Sequence, residues 1–497
     1  MSRSDDELRP GDATEPGAAG ALGRRFLIGT VLLGAGNTAV SVVNLVVGVL
    51  LARWLGPEEF GLFAFVLAIT EVLSLFGGFS FGVALIQARE ESQRLYDTAF
   101  AVYAALGAAM IATGAAIAAV LFAVRGREEA VFLVVLVGAR WFRLTAQVPR
   151  AKLERTLRYD LVTRTSVLAT GLPNVVALGV AWMGVGAWAL VIRDVLVSVL
   201  TYLLESLASG YRFRRDVGRD AYAQLMGFAK PVFLARVIDL LVERVDRVAV
   251  GAFLGNASAG LLDRARFLAD VGLYVMRPVE RASLNLLSRV QDDARRSARS
   301  YELVTYFLVR LMFAGSIVLV LAPVETLRLV LGDEWTGAAP ALRWLGLHGA
   351  VFPVFTMTKV LVLARNEGAR LARISAVQAA ILIPGTIAAA WLDQLAAVAA
   401  VVACTTCVGT AFMLRWTRDL AAMSYRAVFA VPLAAALVTA AAALGSDALG
   451  GADWIAWYAR PFAIGATFVV VLLAAEGRRL ASELGYLRAQ LAQGRAA

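Results

Sequence analysis

The sequence predicts an all-α integral membrane protein with about fourteen transmembrane helices. Hydrophobic residues fill 59% of the 497 positions, the mean hydropathy is +0.70, and only 17% of the residues are charged. Soluble domains average about 45–50% apolar and about 25% charged residues. The apolar residues recur from Phe26 to Ala475 in segments of about 20 residues, the length that crosses a bilayer as a helix. This pattern disfavours a soluble enzyme, a secreted disulfide-rich module and a nucleic-acid-binding domain, despite a formal net charge of +10.

Hydropathy predicts the spans in chain order, and the seventh and eighth carry the most charge. Their approximate bounds are 26–52, 61–86, 98–124, 130–148, 161–183, 185–208, 224–252, 259–286, 303–331, 341–364, 371–392, 394–414, 427–445 and 455–475. We expect residues 1–23, which are small and polar, to form a disordered tail; the apolar stretch after them is too long for a signal peptide. Leucines at helical spacing predict an amphipathic tail at 476–497.

Cations in the connecting loops predict the orientation of the chain. If the N-terminus is cytoplasmic, the inner segments hold 28 Lys and Arg residues. The outer segments then hold four cations, which are Arg53, Arg125, Arg127 and Arg460. The excess alternates loop by loop, as the positive-inside rule requires. We therefore expect both termini to lie in the cytoplasm.

A short repeat predicts two related lobes. The pattern LG-x4-GL occurs at 55–62 and again at 254–261, an offset of 199 residues, each time between the first and second helix of a group of six. An even number of spans per unit predicts a parallel repeat with a substrate path between the lobes. The predicted divisions are an N-lobe at 24–208, a basic cytoplasmic linker at 209–223, a C-lobe at 224–414 and two extra helices at 415–475.

Charged side chains follow one face of the seventh helix and one face of the eighth. At 100° per residue, most of these charges fall within an arc of about 100° on each helix. The stripes are Arg236, Asp239, Glu243, Asp246 and Arg247 on the seventh helix, and Asp263, Arg266, Asp270, Arg277, Glu280 and Arg281 on the eighth. Arg244 and Arg264 fall outside their stripes. The first lobe carries fewer charges, among them Glu71, Arg140 and Arg143.

Two interpretations of these charges stay open. The side chains could neutralise one another in pairs, such as Glu243 with Arg247 one turn later. They could instead line a hydrated, net-positive cavity in which arginine binds an anionic group such as pyrophosphate. The predicted substrate-binding residues are Arg140, Arg143, Arg236, Arg244, Arg247, Arg266 and Arg277. The predicted coupling or ion-pair residues are Glu71, Asp239, Glu243, Asp246, Asp263 and Asp270.

Other polar residues predict little chemistry. His348 is the only histidine and lies near Pro353, where a structural role is favoured over a proton relay. Cys404 and Cys407 form a CxxC inside an apolar run, which favours small membrane residues over a metal or redox site. No Gly-rich phosphate loop, metal-ligand cluster or nucleophile constellation occurs. We predict no catalytic residue, no cofactor and no metal site.

Several segments resemble a known family when taken in order along the chain. They are LARWLGPEEFGLFAFVLAI (51–69), GFSFGVALIQARE (78–90), VPRAKLERTLRYDLV (148–162), GVGAWALV (184–191), DRVAVGAFLG (246–255), VLGDEW (330–335) and the basic loop at 364–373. Together they are similar to the polysaccharide flippases, the O-antigen and capsule repeat-unit exporters of the multidrug/oligosaccharidyl-lipid/polysaccharide exporter superfamily. The resemblance covers roughly residues 24 to 420. One departure is that Leu261-Leu262-Asp263-Arg264 stand where the family commonly has a Tyr and a small residue.

The resemblance implies two six-helix lobes around a central cavity that opens alternately to each side of a bacterial inner membrane. The implied function is movement of a polyprenyl-pyrophosphate-linked oligosaccharide from the cytoplasmic to the outer leaflet. The expected partners are this lipid-linked oligosaccharide, membrane lipids and other polysaccharide-assembly proteins, with no nucleic acid, and the expected state is a monomer. A multidrug or cation antiporter of the same superfamily is the nearest alternative, although the arginine-rich stripes argue against cationic cargo. A membrane glycan polymerase or ligase is disfavoured because every outer loop is short.

Overall fold

The computed structural model describes residues 16–74, 81–88, 91–289, 293–365, 367–418, 424, 426–448 and 456–496. Within these residues every regular element is helical, so the predicted all-α class is confirmed. The helices are α1 (Pro16–Leu73), α2 (Phe81–Gln87), α3 (Gln93–Val124), α4 (Arg127–Thr145), α5 (Gln147–Arg155), α6 (Tyr159–Trp182), α7 (Trp188–Ser209), α8 (Arg219–Phe253), α9 (Gly255–Ala269), α10 (Leu273–Arg289), α11 (Ala294–Leu321), α12 (Pro323–Val330), α13 (Ala339–Ala364), α14 (Gly368–Trp391), α15 (Leu395–Trp416), α16 (Val431–Ala448) and α17 (Arg460–Ala496). Short 3-10 segments at Asp270–Gly272 and Asp333–Ala338 and a π-helical turn at Arg426–Ala430 join some of them.

Among the described residues, ten helical segments are long and apolar enough to cross a membrane. They are Thr38–Leu73, Gln93–Val124, Arg127–Arg155, Tyr159–Trp182, Arg295–Leu321, Asp333–Ala364, Gly368–Trp391, Leu395–Trp416, Arg426–Ala448 and Arg460–Gly485. The first of these contains parts of two predicted spans. Helix α7 and the charged helices α8 to α10 are not among the ten. A multi-pass helical membrane protein is therefore supported, whereas the number fourteen stays a prediction.

Helix α1 contains a sharp break at Gly56, which separates the first two predicted spans. Gly56 has φ 71° and ψ 172°, a backbone conformation that residues with a Cβ rarely adopt. Pro57 follows at once and has no amide hydrogen to donate to the helix. The two halves of α1 are thus consecutive helices joined without a loop.

The described chain divides into two compact units. The first contains the described residues of Met1–Gly48 and Leu73–Leu234, and the second contains Val49–Val72 and those of Ala235–Ala497. In the first unit, α4 packs on α3 and α7, and α6 packs on α7. Phe81, Tyr96, Tyr103 and Leu225 are buried together in one apolar cluster of this unit.

The second unit is built around α13. This helix packs against α9, α10, α11 and α15, and α17 packs against α11 and α16. One large apolar cluster includes Met276, Tyr301, Met357 and Val428, and a second cluster around Phe468 holds α17. Residues Val49–Val72 of α1, which include the break at Gly56, belong to this same unit.

The two copies of the LG-x4-GL repeat touch each other inside the second unit. A Cβ added to Gly61 would overlap the carbonyl oxygen of Asn256 and would lie 2.6 Å from the amide nitrogen of Gly260. A Cβ added to Gly260 would in turn overlap the carbonyl oxygen of Pro57. Residues 57 and 256, like 61 and 260, are separated by the repeat offset of 199. The contact is therefore reciprocal and brings backbone against backbone.

Ala52 and Arg53 are hydrogen-bonded to the VLGDEW segment (330–335) and to Leu329, the residue before it. The Arg53 guanidinium donates from Nε to the Val330 carbonyl at 2.8 Å and from Nη2 to the Leu329 carbonyl at 2.5 Å. The buried Trp335 indole donates to the Ala52 carbonyl at 3.1 Å. Two of the segments that carry the family resemblance therefore hold each other in place.

Candidate functional site

A charged cavity of about 170 Å³ lies in the second unit, among the last turns of α8, helix α9 and the start of α10. Charged, aromatic and aliphatic side chains share its wall. The lining residues are Arg247, Asp263, Arg264, Phe267, Asp270, Leu273, Tyr274 and Arg277. Three guanidinium groups thus face two carboxylates, and we refer to this space as the arginine cavity.

Arg264 is the most firmly held cation of the arginine cavity. Its Cζ lies 4.0 Å from the ring centre of Phe60 and 4.5 Å from that of Phe267. Its Nε and Nη2 donate to Asp263 Oδ2 at 3.3 Å and 2.6 Å. Cation–π contacts of this kind are worth about 0.5–2 kcal/mol each, depending on desolvation. The guanidinium plane of Arg264 is therefore fixed by two rings and one carboxylate.

Asp263 is shared between two arginines. Its Oδ1 lies 3.3 Å from Arg247 Nε, and its Oδ2 accepts the hydrogen bonds from Arg264. One carboxylate therefore faces two guanidinium groups, and Arg277 adds a third cation to the lining. An anion could bind here by pairing with N–H donors that Asp263 satisfies only in part.

Two further predicted arginines are placed beside the arginine cavity and are not among its lining residues. Arg266 pairs with Asp246, whose side chain is only 1% exposed. Arg244 Nε lies 2.9 Å from Glu71 Oε2, which joins α8 to the second half of α1. The structure thus brings Glu71 and Asp246 into ion pairs with Arg244 and Arg266.

Arg140 and Arg143 occupy the first unit. They lie on α4, and both face Asp194 of α7, with nitrogen–oxygen distances of 3.7 Å and 3.9 Å. Arg140 is buried, whereas the Arg143 side chain is 40% exposed. A neighbouring polar cluster joins Arg193 to Asn174 and Asn44, with Arg193 donating to both amide oxygens at 2.5 Å and 2.8 Å.

Some predicted site residues are not placed. The side chains of Arg236, Asp239 and Glu243 lie outside the described residues.

His348 Nδ1 lies 2.7 Å from Thr406 Oγ1, and its ring lies 5.0 Å from that of Phe352. Within the part of the chain that the structure describes, no three His, Cys, Asp or Glu residues are arranged to hold a metal ion.

The sequence projection missed Arg264, Phe267 and Tyr274 as lining residues. A helical projection follows the directions of the Cα atoms, and it places Arg264 outside the charged stripe. The long Arg264 side chain nevertheless reaches Asp263, the same carboxylate that Arg247 contacts. A usable signal was present, since the Asp263-Arg264 pair is the point at which the sequence departs from the family pattern.

Comparison with known proteins decides the family. Residues 50–340, more than half of the chain, match the family model described as polysaccharide biosynthesis protein. The chain belongs to the polysaccharide biosynthesis protein family. The predicted resemblance to polysaccharide flippases is thereby confirmed.

One curated relative of this family member is the succinoglycan biosynthesis transport protein ExoT of Rhizobium meliloti (strain 1021). It is 27% identical over 323 residues, which cover 63% of this chain and 64% of the relative. The match therefore spans less than two thirds of the relative's own length.

Solved structures of transporters share the fold. A structure of the lipid II flippase MurJ in an inward closed conformation matches with a TM-score of 0.71 at 11% identity, covering 90% of this chain and 100% of that chain. An inward-facing multidrug resistance MATE family transporter of the MOP superfamily matches with a TM-score of 0.61 at 15% identity, covering 76% and 94%. These relatives and neighbours are transporters or flippases, and the prediction that the protein is not an enzyme is confirmed.

Proposed function

We propose that the protein is an alternating-access flippase that moves a polyprenyl-pyrophosphate-linked oligosaccharide from the cytoplasmic to the outer leaflet for cell-surface polysaccharide biosynthesis. The observation that carries the proposal is the arginine cavity, found in a member of the polysaccharide biosynthesis protein family. The pyrophosphate and sugars would occupy polar space inside the protein, while the polyprenyl tail stays in lipid. The charged helices suit this arrangement, because each has a charged face for the polar part of the substrate and an apolar face toward lipid or other helices.

The three guanidinium groups of the arginine cavity suit a pyrophosphate. Arginine presents parallel N–H donors that match phosphate oxygens in pairs. Arg264 is fixed by Phe60 and Phe267, so little side-chain entropy is lost when it binds an anion. Arg277 is exposed on its helix and lies at the cavity wall. We therefore assign Arg264 and Arg277 as the main anion ligands, with Arg247 beside them.

The carboxylates supply a means of coupling. A phosphate that reaches Arg247 and Arg264 competes with Asp263 for the same N–H donors. Substrate binding would thus release Asp263 from its two arginines, and we assign this carboxylate as the coupling residue. Asp246 and Glu71, which already have arginine partners, act in this proposal as structural members of the network.

In the first unit, Arg143 is the proposed substrate contact and Arg140 is its support. The Arg143 side chain is 40% exposed and lies 3.9 Å from Asp194, so its guanidinium is accessible to an anion. Arg140 is buried against the same carboxylate and holds Asp194 in place. The pair gives the first unit a net positive patch of its own.

The proposed location is the bacterial inner membrane, with both termini in the cytoplasm and a monomer as the working unit. The excess of 28 loop cations over four supports this orientation. Membrane lipids and other polysaccharide-assembly proteins are the proposed partners. Reporter fusions at the two ends of the chain should both report a cytoplasmic location.

A multidrug or cation antiporter is the second candidate, because MATE transporters share the fold. Cationic cargo would meet the guanidinium groups of Arg264 and Arg277 and be repelled. Such cargo would be better served by isolated acids in an apolar cavity.

The test compares two arginines of α10. In a gene-deletion strain we expect lipid-linked oligosaccharide to accumulate in the cytoplasmic leaflet, and complementation with the wild-type gene should restore the outer-leaflet pool. Arg277→Gln should fail to restore it, because the cavity loses one anion ligand. Arg281→Gln is the matched control, since Arg281 lies one turn further along α10 and does not line the cavity. Normal glycan lipids together with new drug sensitivity in the deletion strain would favour the antiporter.

A further inference from the structure

The segment between α7 and α8, residues 211–218, forms a basic surface that the transport proposal does not use. We propose that this surface binds the headgroups of anionic phospholipids at the membrane boundary. The inference is independent of the transported substrate. We call residues 211–218 the α7–α8 segment.

A buried carboxylate fixes the backbone of the α7–α8 segment. Asp97, on α3, is fully buried, and its two oxygens accept hydrogen bonds from the Tyr211 hydroxyl at 2.9 Å and from the Arg214 and Asp216 amides at 2.9 Å and 3.1 Å. Gln93 donates to the same carboxylate and to the Arg212 carbonyl. Burial, together with the hydrogen bond to Asp97, raises the pKa of Tyr211, which keeps its hydroxyl a donor at physiological pH. The segment is thus ordered before any ligand arrives.

The ordered backbone turns cations outward. Arg212, Arg214 and Arg215 are all exposed, and no carboxylate pairs with their side chains within the described residues. The acids that follow, Asp216 and Asp220, have a cation of their own in Arg94, at 3.8 Å and 3.1 Å. The three arginine side chains are therefore available to bind an external anion.

Arg215 occupies a position where a glycine would serve the backbone better. Its φ is 64°, in the left-handed region that favours glycine. An L-residue with a Cβ adopts this conformation less readily than glycine does. Asp97 accepts hydrogen bonds from the amides on both sides of Arg215, and these bonds hold the turn. The charge of Arg215, rather than its backbone preference, is therefore what this residue adds to the segment.

Exposed apolar side chains accompany the arginines. Phe213 and Val217 are 39% and 51% exposed, and Tyr222 of α8 is 44% exposed. The segment begins directly after the end of α7, where Gly210 caps the helix in the left-handed conformation. Cations beside aromatic and aliphatic groups at the end of an apolar helix match the chemistry of the interface between lipid headgroups and acyl chains. This position favours a lipid headgroup over an acidic protein.

The experiment measures which lipids gather at the segment. Cys404→Ser and Cys407→Ser remove both native cysteines, and Val217→Cys then carries a fluorophore in the full-length protein. Nanodiscs of phosphatidylcholine contain an equal fraction of nitroxide-labelled phosphatidylglycerol or nitroxide-labelled phosphatidylcholine. We expect the labelled phosphatidylglycerol to be enriched at the fluorophore by about fivefold or more, the preference that one basic residue near an anionic surface provides. The difference should shrink as salt is added.

Removal of three charges should abolish this preference. Arg212→Gln, Arg214→Gln and Arg215→Gln together should reduce quenching by phosphatidylglycerol to the phosphatidylcholine level. The matched control replaces three other exposed arginines, Arg295→Gln, Arg296→Gln and Arg415→Gln, and should keep the preference. Asp97→Asn keeps all three arginines but weakens their ordering, and it should lower the enrichment.

Three results would overturn the proposal. Equal quenching by the two lipids would show that headgroup charge is not recognised. Quenching by neither lipid would place the segment in water and point to an acidic protein partner. A preference that survives loss of the three arginines would assign it to other residues.

Discussion

Arg264 shows how a single side chain changes the character of the arginine cavity. Its guanidinium is stacked by Phe60 and Phe267 and is bound by Asp263, so it combines a fixed plane with a fixed charge. A lysine could supply the charge but not the plane. Substitution of Arg264 therefore tests whether the arginine cavity requires a fixed planar group as well as a positive charge.

We predict that Arg264→Lys lowers the stability of the protein by about 1–3 kcal/mol, since it loses two stacking contacts and a two-nitrogen ion pair. The apparent melting temperature in detergent should fall. Arg281→Lys, on the exposed surface of α10, is the control and should leave it nearly unchanged. Equal melting temperatures for the two variants would argue against a structural role for the stacked guanidinium.

Sequence predicts where several of the site residues lie but not which of them form ion pairs. Arg247, Asp263, Asp270 and Arg277 line one cavity, and helical periodicity had placed each of them on the charged face of the predicted seventh or eighth helix. Periodicity does not reveal which cations have an acidic partner. The structure pairs Arg244, one of the predicted substrate ligands, with Glu71. That pairing depends on how α1 packs, which is a tertiary property.

At the scale of elements, α17 is joined to α11 by two ion pairs in different surroundings. Arg310 and Glu476 are both buried, with a shortest nitrogen–oxygen distance of 2.5 Å, and Arg310 also lies over the Tyr306 ring. Arg299 is 45% exposed and contacts Glu483 at 2.5 Å. Burial is the main difference between the two pairs.

We predict that Glu476→Gln destabilises the protein by about 3–5 kcal/mol, because Arg310 would be left as a buried, unpaired cation. Glu483→Gln should cost about 1 kcal/mol or less, since water can solvate Arg299. Thermal unfolding of the two variants provides the comparison. If Glu476→Gln loses as little stability as Glu483→Gln, water or a second carboxylate must stabilise the Arg310 charge after the substitution.

The elements themselves were largely predictable. Long apolar runs indicated most of the helices from α3 onward to within a few residues, since a bilayer demands about 20 apolar positions. The direct join within α1 was not predicted, because Pro57 and Gly56 indicate a loop as readily as a kink. The short helix α5 likewise follows α4 with only Ala146 between them, a continuity that hydropathy alone does not show.

For the whole molecule, the repeat is the feature that links sequence to architecture. Gly61 and Gly260 let two helices meet at backbone distance, and each faces the partner repeat. Sequence indicated the duplication through four identities but could not show that the copies touch. Contacts between residues 199 positions apart depend on the folded packing of the helices.

We predict that Gly61→Ala destabilises the protein by about 3 kcal/mol or more, since the added Cβ would overlap the carbonyl of Asn256 and backbone cannot yield as a side chain does. Gly171→Ala on α6 is the control, because a methyl group at that position would have no atom within 4 Å. Alanine there should be neutral or stabilising by up to about 1 kcal/mol, given its higher helix propensity. Comparable stability of the two variants would show that the helices can separate at little cost.

The reciprocal contact of Gly61 and Gly260 has a consequence for the history of the gene. A contact in which residue i meets j and j meets i is the mark of a two-fold axis, as in a dimer of identical subunits. If the predicted repeat arose by fusion of two half-length copies, one ancestral glycine occupied both positions, and Gly61 and Gly260 are its two descendants under the same packing constraint. Across relatives, Gly61 and Gly260 should therefore change together or not at all.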